Sequence, residues 1–133
     1  MVVFMKEVRS EKILKSPNPL SQGIRHGDLI FLSGQIARNP ETGKLEEGFE
    51  NQTRRILDNI VLILESEGVS MEQVIKVNIF LIDMGNMSVF NAIYSEYFDK
   101  APYPARTCVQ VSLGAGIEVE IEVIASTNPN EHR

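Results

Sequence analysis

Cysteine and histidine are almost missing from this 133-residue chain: Cys108 is its one thiol, and His26 and His132 are its two imidazoles. A single cysteine cannot form an internal disulfide, so a reducing compartment is the simpler reading and the chain is expected in the cytoplasm. CxxC and HExxH are absent, and the two histidines fall in a turn and in the tail. That pattern argues against a histidine-based catalytic centre and against a His/Cys metal site. GxGxxG and Walker A sequences are also absent. Basic residues are in deficit, with Lys+Arg 13 against Asp+Glu 18 and a net charge of −5. A non-specific nucleic-acid binder needs the opposite balance to displace counterions from phosphate, so nucleic acid is not the expected partner. No apolar run approaches the roughly 20 residues that span a bilayer. The apolar start Met1–Met5 is shorter than the ~7–15-residue core of a signal peptide. Met5, just before the first charge, can also serve as a start, in which case Met1 to Phe4 are a dispensable extension; residues 1–5 are set apart as a possible N-terminal extension of the domain.

What is present describes one globular domain over residues 1–133. Hydrophobic residues make up 43% and charged residues 23%, with Gly 9 and Pro 6, which excludes disordered, collagen-like and low-complexity classes. Lys6 to Leu14 mixes Val8, Ile13 and Leu14 with charges and reads as one or two weak strands. Ser16-Pro17-Asn18-Pro19 is a loop, since two prolines remove two backbone donors. Gln22 to Arg25 and Leu29 to Ser33 flank the turn residues His26-Gly27-Asp28 and predict a hairpin, in which Ile30-Phe31-Leu32 suggests burial on both faces. After the loop Asn39–Gly43, the positions Phe49, Ile56, Leu57, Ile60, Val61, Leu62, Ile63 and Leu64 predict a helix with one long buried stripe. Gly68 stands where a left-handed C-terminal cap belongs.

Val74 to Ile82 is a period-2 strand with Ile75, Val77, Ile79 and Leu81 on one face. Asn86 can cap a second helix, in which Phe90, Ile93, Tyr94 and Tyr97 recur at i, i+3, i+4 and i+7, and Pro102 and Pro104 end that region. Two further strands, Ala105 to Ser112 and Ile117 to Ala125, precede a tail, 127–133, expected to fray. The order β-β-β-α-β-α-β-β predicts an α+β fold with both helices on one face of a mixed sheet. The other sheet face then has no cover, which predicts a homo-oligomer.

Any chemistry must come from carboxylates, arginine, hydroxyls, backbone donors or Cys108. Alternation puts Arg106 and Cys108 on one face of their strand, about 6.6 Å apart. A mid-strand arginine beside small residues offers a rigid planar fork to a carboxylate, although a structural ion pair or a surface arginine has the same pattern. Ile117–Val123 alternates strictly and lines up Glu118, Glu120 and Glu122, which also fits a merely solvated acidic face. Glu120, flanked by two like charges, should have a raised proton affinity suited to a general acid or base, unless a cation such as Arg106 lies closer. Whether Arg106 and Glu120 share a face depends on strand register. Cys108 has no histidine placed to activate it and fits a small buried hydrophobe better than a nucleophile. Ser33-Gly34, at a strand end, allows close backbone approach to a ligand or is simply a turn.

Five segments together resemble the RidA (YjgF) family of reactive-intermediate deaminases. They are Pro19-Leu20-Ser21-Gln22-Gly23, Leu32-Ser33-Gly34-Gln35-Ile36, Asn91-Ala92-Ile93-Tyr94, Pro104-Ala105-Arg106-Thr107-Cys108-Val109 and Val119-Glu120-Ile121-Glu122. The resemblance runs from about Lys15 to Ala125, and its last two segments are the most specific. It implies a chorismate-mutase-like fold with a six-stranded sheet, and a homotrimer with active sites in the clefts between subunits. It also implies cofactor-free, metal-free hydrolysis of enamine/imine intermediates such as 2-aminoacrylate/2-iminopropanoate and 2-iminobutanoate to 2-keto acids and ammonia. In that family pattern Arg106 holds the substrate carboxylate and Glu120 positions water and handles protons. Backbone groups around Gly34 and Cys108, with Ser33 and Asn91, shape the pocket. Leu20 stands where the family usually has tyrosine, which implies an altered substrate preference. The same cleft would also serve a non-catalytic sensor of small carboxylates. A ribonuclease or translation inhibitor, an activity attributed to some relatives, fits the net charge less well.

Overall fold

The computed structural model describes Val2 and residues 4–129. The chain runs through strands β1 (Met5–Val8), β2 (Gly23–His26) and β3 (Leu29–Leu32), helix α1 (Phe49–Glu65), strand β4 (Val74–Leu81), helix α2 (Met87–Tyr97), and strands β5 (Ala105–Gln110) and β6 (Val119–Ser126). This is the element order expected from the sequence. The six strands form one mixed sheet in the order β1-β2-β3-β6-β4-β5, in which only β4 and β5 are parallel. Their parallel pairing follows from α2, which carries the chain back across the sheet between them.

Hydrophobic period explains most of these elements. In α1 the stripe Ile56, Leu57, Ile60, Ile63 and Leu64 has no solvent exposure, and each such side chain contributes about 1.5–3 kcal/mol by leaving water. The helix ends where Gly68 takes φ 66° and the Val69 amide closes onto the Leu64 carbonyl at 3.1 Å, the left-handed ending its position suggested. Val77, Ile79 and Leu81 of β4 meet Val123, Ile121 and Val119 of β6 in register, and all six are buried beneath the helices.

Several local expectations are corrected. Of the Lys6–Leu14 segment only Lys6–Val8 is strand, and that strand begins one residue earlier, at Met5, which pairs with His26. Phe31 is 41% exposed while Ile30 and Leu32 are buried, so β3 is not buried on both faces. A bulge between Val74 and Lys76 turns Ile75 away from the core, where it is 47% exposed. Asn86 occupies the N-cap position of α2 without a side-chain bond; Asp83 caps the preceding single turn, Met84–Asn86, by accepting from the Gly85 amide at 2.8 Å. Thr127, the first residue of the expected tail, donates its amide to the Asp28 carbonyl at 2.8 Å. Residues 130–133 of the expected tail lie outside the described residues.

Both helices pack on one sheet face, and the register defines the other. That open face carries Lys76, Asn78 and Phe80 beside Ile124, Glu122 and Glu120, with Phe31 opposite Ile124. Its exposed apolar side chains include Leu29, Phe31 and Val109. No helix among the described residues is long and apolar enough to cross a membrane.

Candidate active site

Glu120 projects from β6 opposite Phe80 of β4, on the sheet face away from the helices. Beyond Leu32 the chain stays beside β6: Gln35 and Ile121 exchange backbone hydrogen bonds at 2.8 and 3.1 Å, which lays Ser33-Gly34 along the glutamate. A methyl group at position 34 would run into the Glu120 Oε2 and come within 3.0 Å of its Cδ, so only glycine allows this approach. The Ser33 hydroxyl donates to the Ser21 carbonyl at 2.6 Å and ties the strand end to the proline-rich loop. Together Leu20, Gln22, Ser33, Gly34, Ile117 and Glu120 line a cavity of about 600 Å³. Burial raises the proton affinity of Glu120, and the nearby Glu122 carboxylate raises it further. The direction is the one the glutamate alternation predicts, but the leading cause is desolvation rather than a pair of like charges.

Gln22, which the sequence names only as part of a strand and a motif, is a supporting residue. Its Oε1 accepts the Ser10 amide at 2.8 Å, and this holds the segment that walls the cavity. Gln52 plays the same part beneath β6: its Oε1 accepts the Glu118 amide at 2.9 Å and its Nε2 donates to the Gly116 carbonyl at 2.7 Å. Both are polar side chains at nearly buried positions, and that mismatch is a signal visible only once burial is known.

Arg106 belongs to the opposite face. In β5 it pairs with Val77 of β4, so its side chain rises toward α2, where its Nη1 donates to the Asn91 Oδ1 at 2.8 Å. Its guanidinium carbon sits 5.0 Å from the centroid of the Tyr94 ring. Arg106 is nonetheless exposed to solvent, and among the described residues no carboxylate pairs with it. Cys108, one step along the same face, touches the Met87 Sδ at 3.8 Å. Burial pushes its thiol up, only partly offset by Arg106, which leaves it a poor nucleophile at neutral pH. Tyr94 is pushed up to about 12 by burial, against the pull of Arg106, and stays a neutral ring.

The expected residues therefore gather into two groups. Glu120, Gly34, Ser33 and Leu20 line one cavity, while Arg106, Cys108 and Asn91 stand together at α2. Within one chain the groups do not meet. β5 and β6 are not neighbours, because β4 lies between them, and the register sends Arg106 and Glu120 to opposite faces. Among the described residues no three His, Cys, Asp or Glu side chains converge as a metal site.

Chemically, one group offers a planar cation with hydrogen-bond donors free for a carboxylate. The other offers a carboxylate of raised proton affinity in a partly desolvated cavity, suited to moving a proton.

Known proteins share the family and the fold of this chain. The family model described as Endoribonuclease L-PSP matches residues 10–127. A RutC family protein of Aquifex aeolicus is 42% identical over 123 residues, covering 91% of this chain and 98% of its own. The Escherichia coli protein named "Putative reactive intermediate deaminase TdcF" is 34% identical over 90% of this chain and 95% of its own. Its crystal structure with bound serine superposes with a TM-score of 0.85, covering 91% of this chain and 98% of that one. The Rid-family protein YyfA of Yersinia pestis superposes with a TM-score of 0.88 at 38% identity, over 92% of this chain and 99% of that one. With that family model matched over residues 10–127 and relatives 34–42% identical covered almost end to end, the chain belongs to the YjgF/RidA/RutC family.

Proposed function

We propose that this protein is a 2-iminobutanoate/2-iminopropanoate deaminase, a cofactor-free hydrolase that converts enamine/imine intermediates to 2-keto acids and ammonia. The observation that carries the reading is Arg106: exposed, braced by Asn91 and the Tyr94 ring, and with donors left for an anion. Such a fork takes the carboxylate of a 2-imino acid bidentately and presents the C=N carbon beside it. Glu120 accepts a proton from water as that water adds to the imine carbon. It returns that proton to nitrogen, giving a carbinolamine, then takes the carbinol hydroxyl proton and passes it to nitrogen as the C–N bond breaks, so that ammonia leaves and a 2-keto acid remains. An enamine substrate first takes a proton on carbon and gives one up from nitrogen to become the imine. Ser33, Gly34, Leu20 and the backbone at Cys108 shape the pocket around the reacting carbon. The serine in the TdcF structure, a small amino acid with the same carboxylate, supports a site of this size and charge.

Because Arg106 and Glu120 face apart in one chain, a working site needs the Glu120 group of one copy beside the Arg106 group of another. The exposed apolar side chains of the open face support such packing, and the assembly proposed is a homotrimer with sites between subunits, working in the cytoplasm.

The test is keto-acid release in an assay coupled to a dehydratase that generates the imine from serine or threonine. Wild type accelerates release, and Arg106→Ala removes the acceleration; equal rates for the two would refute the assignment. The serine-bound relative also fits a second reading, a non-catalytic sensor of small carboxylates, which saturable binding without acceleration would establish. The family description mentions a ribonuclease, but a net charge of −5 gives RNA little to hold.

A further inference from the structure

Arg106 is an exposed side chain on an edge strand, a setting in which an arginine ordinarily samples many rotamers. Here it is gripped from two directions by residues three apart on α2. Asn91 takes one N–H at 2.8 Å, and the guanidinium carbon stands over the Tyr94 ring, 5.0 Å from its centroid. Residues at i and i+3 of a helix share a side, so one turn of α2 supplies both contacts.

Tyr94 is itself held. Its ring stacks on Phe98 with centroids 4.4 Å apart and meets Phe90 at 5.6 Å, an aromatic row at i−4, i and i+4. It is 7% exposed, and its hydroxyl has no hydrogen-bond partner among the described residues. The group that Arg106 meets is therefore the π face, whose negative quadrupole attracts a guanidinium.

We infer that Tyr94 is a positioning residue: its ring fixes the plane of the Arg106 guanidinium, so that the remaining donors point as one fork at a substrate carboxylate. The inference rests on the reading of Arg106 as the carboxylate anchor and extends it to a residue that does not touch the substrate. Without the ring, Arg106 keeps its charge and its bond to Asn91 but loses the constraint on its plane. Carboxylate affinity then falls while the proton chemistry at Glu120 is unaffected.

Calorimetric binding of 2-oxobutanoate, an unreactive carboxylate of product shape, separates the possibilities for the full-length protein. Tyr94→Phe is expected to bind within about 2-fold of wild type, because the ring face remains, and Tyr94→Leu about 5–30-fold more weakly. In turnover the Leu variant should raise KM by a similar factor with kcat nearly unchanged. Tyr94 is also a core residue, so fluorination of the ring provides a second series at nearly constant shape. Replacing Tyr94 with 4-fluoro-, 3,5-difluoro- and 3,4,5-trifluorophenylalanine should weaken binding stepwise as the quadrupole is withdrawn.

Unchanged 2-oxobutanoate affinity across the fluorinated series overturns the inference, as does a Leu variant with a lower Tm and wild-type affinity. If Arg106→Ala binds 2-oxobutanoate as wild type does, the anchor assignment fails and Tyr94 has no fork to position. Loss of binding in Arg106→Ala with full binding by Tyr94→Leu refutes the role of Tyr94 alone.

Discussion

The Glu120 carboxylate lies in the space that a side chain at Gly34 would fill, with its Cδ 3.0 Å and its Cγ 3.3 Å from the point where a Cβ would stand. The glycine and the glutamate are thus one structural unit. The backbone after β3 closes over the acid and partly desolvates it, and desolvation is what raises its proton affinity.

Gly34→Ala should therefore act on catalysis more than on folding. The methyl group displaces the end of a flexible side chain rather than backbone, so Tm should change little. Moving the carboxylate by an ångström is expected to lower kcat on the order of 100-fold. Imine hydrolysis and thermal denaturation measured on the same preparation check this, and full activity in the alanine variant would remove Gly34 from the site.

The pH dependence follows from the same burial. If Glu120 works as the ionised base, kcat/KM should rise with pH along a limb lying above the ordinary carboxylate range of about 4.3. Glu122→Gln removes the second cause of the shift and should move that limb to lower pH without abolishing it, since burial is the larger cause. Glu120→Gln should lower kcat by about 100-fold or more. For stability, a carboxyl whose folded-state proton affinity exceeds its unfolded value favours folding at low pH, and that contribution is lost as pH rises through the folded value. Glu120→Gln should accordingly raise Tm relative to wild type at pH 7 but not at pH 4. A wild-type advantage at pH 7 would contradict the shift.

Leu20, half-exposed in the lining of the cavity, sets an apolar wall at the position where the resemblance to the RidA family implies a tyrosine. Leu20→Tyr should change the ratio of turnover between leucine-derived and serine-derived imines by about 10-fold, the scale on which small differences in pocket shape discriminate. Identical substrate profiles for the two proteins would show that this wall does not touch the substrate.

The oligomer is testable without any substrate. Sedimentation equilibrium should give three times the 14.9 kDa chain mass. Phe31→Asp places a charge on an open-face position that is 41% exposed in the single chain, and it should yield monomer with loss of activity. A monomeric wild type that still hydrolyses imines would contradict a site shared between copies.

Much of the fold was legible because period and burial are coupled locally. Ile56, Leu57, Ile60, Ile63 and Leu64 fell on one stripe, while Val61 and Leu62, expected on it, stand only half-buried at its side; Val77 to Leu81 alternated, and Gly68 marked a helix end, each from interactions within a few residues. The failures have equally local causes. Ile75 kept the alternation in sequence but was turned outward by a bulge, and Phe31 continued an apolar run on a face that the single chain leaves open. Cys108 was legible as a poor nucleophile because no histidine stood near it in sequence, and burial beside Met87 adds the physical reason.

By itself the sequence determined the element order, the mixed α+β class, and the scarcity of thiols and imidazoles that left Arg106 and Glu120 as the residues to consider. It also set the side-chain alternation within each late strand. It could not relate those strands to each other, because strand order is fixed by packing between segments far apart in the chain. Only the tertiary structure decided that β4 separates β5 from β6, that Arg106 rises toward Asn91 and Tyr94, and that Glu120 turns the opposite way beneath Gly34. A strand's two faces are equivalent until something covers one of them, and here the helices made that choice.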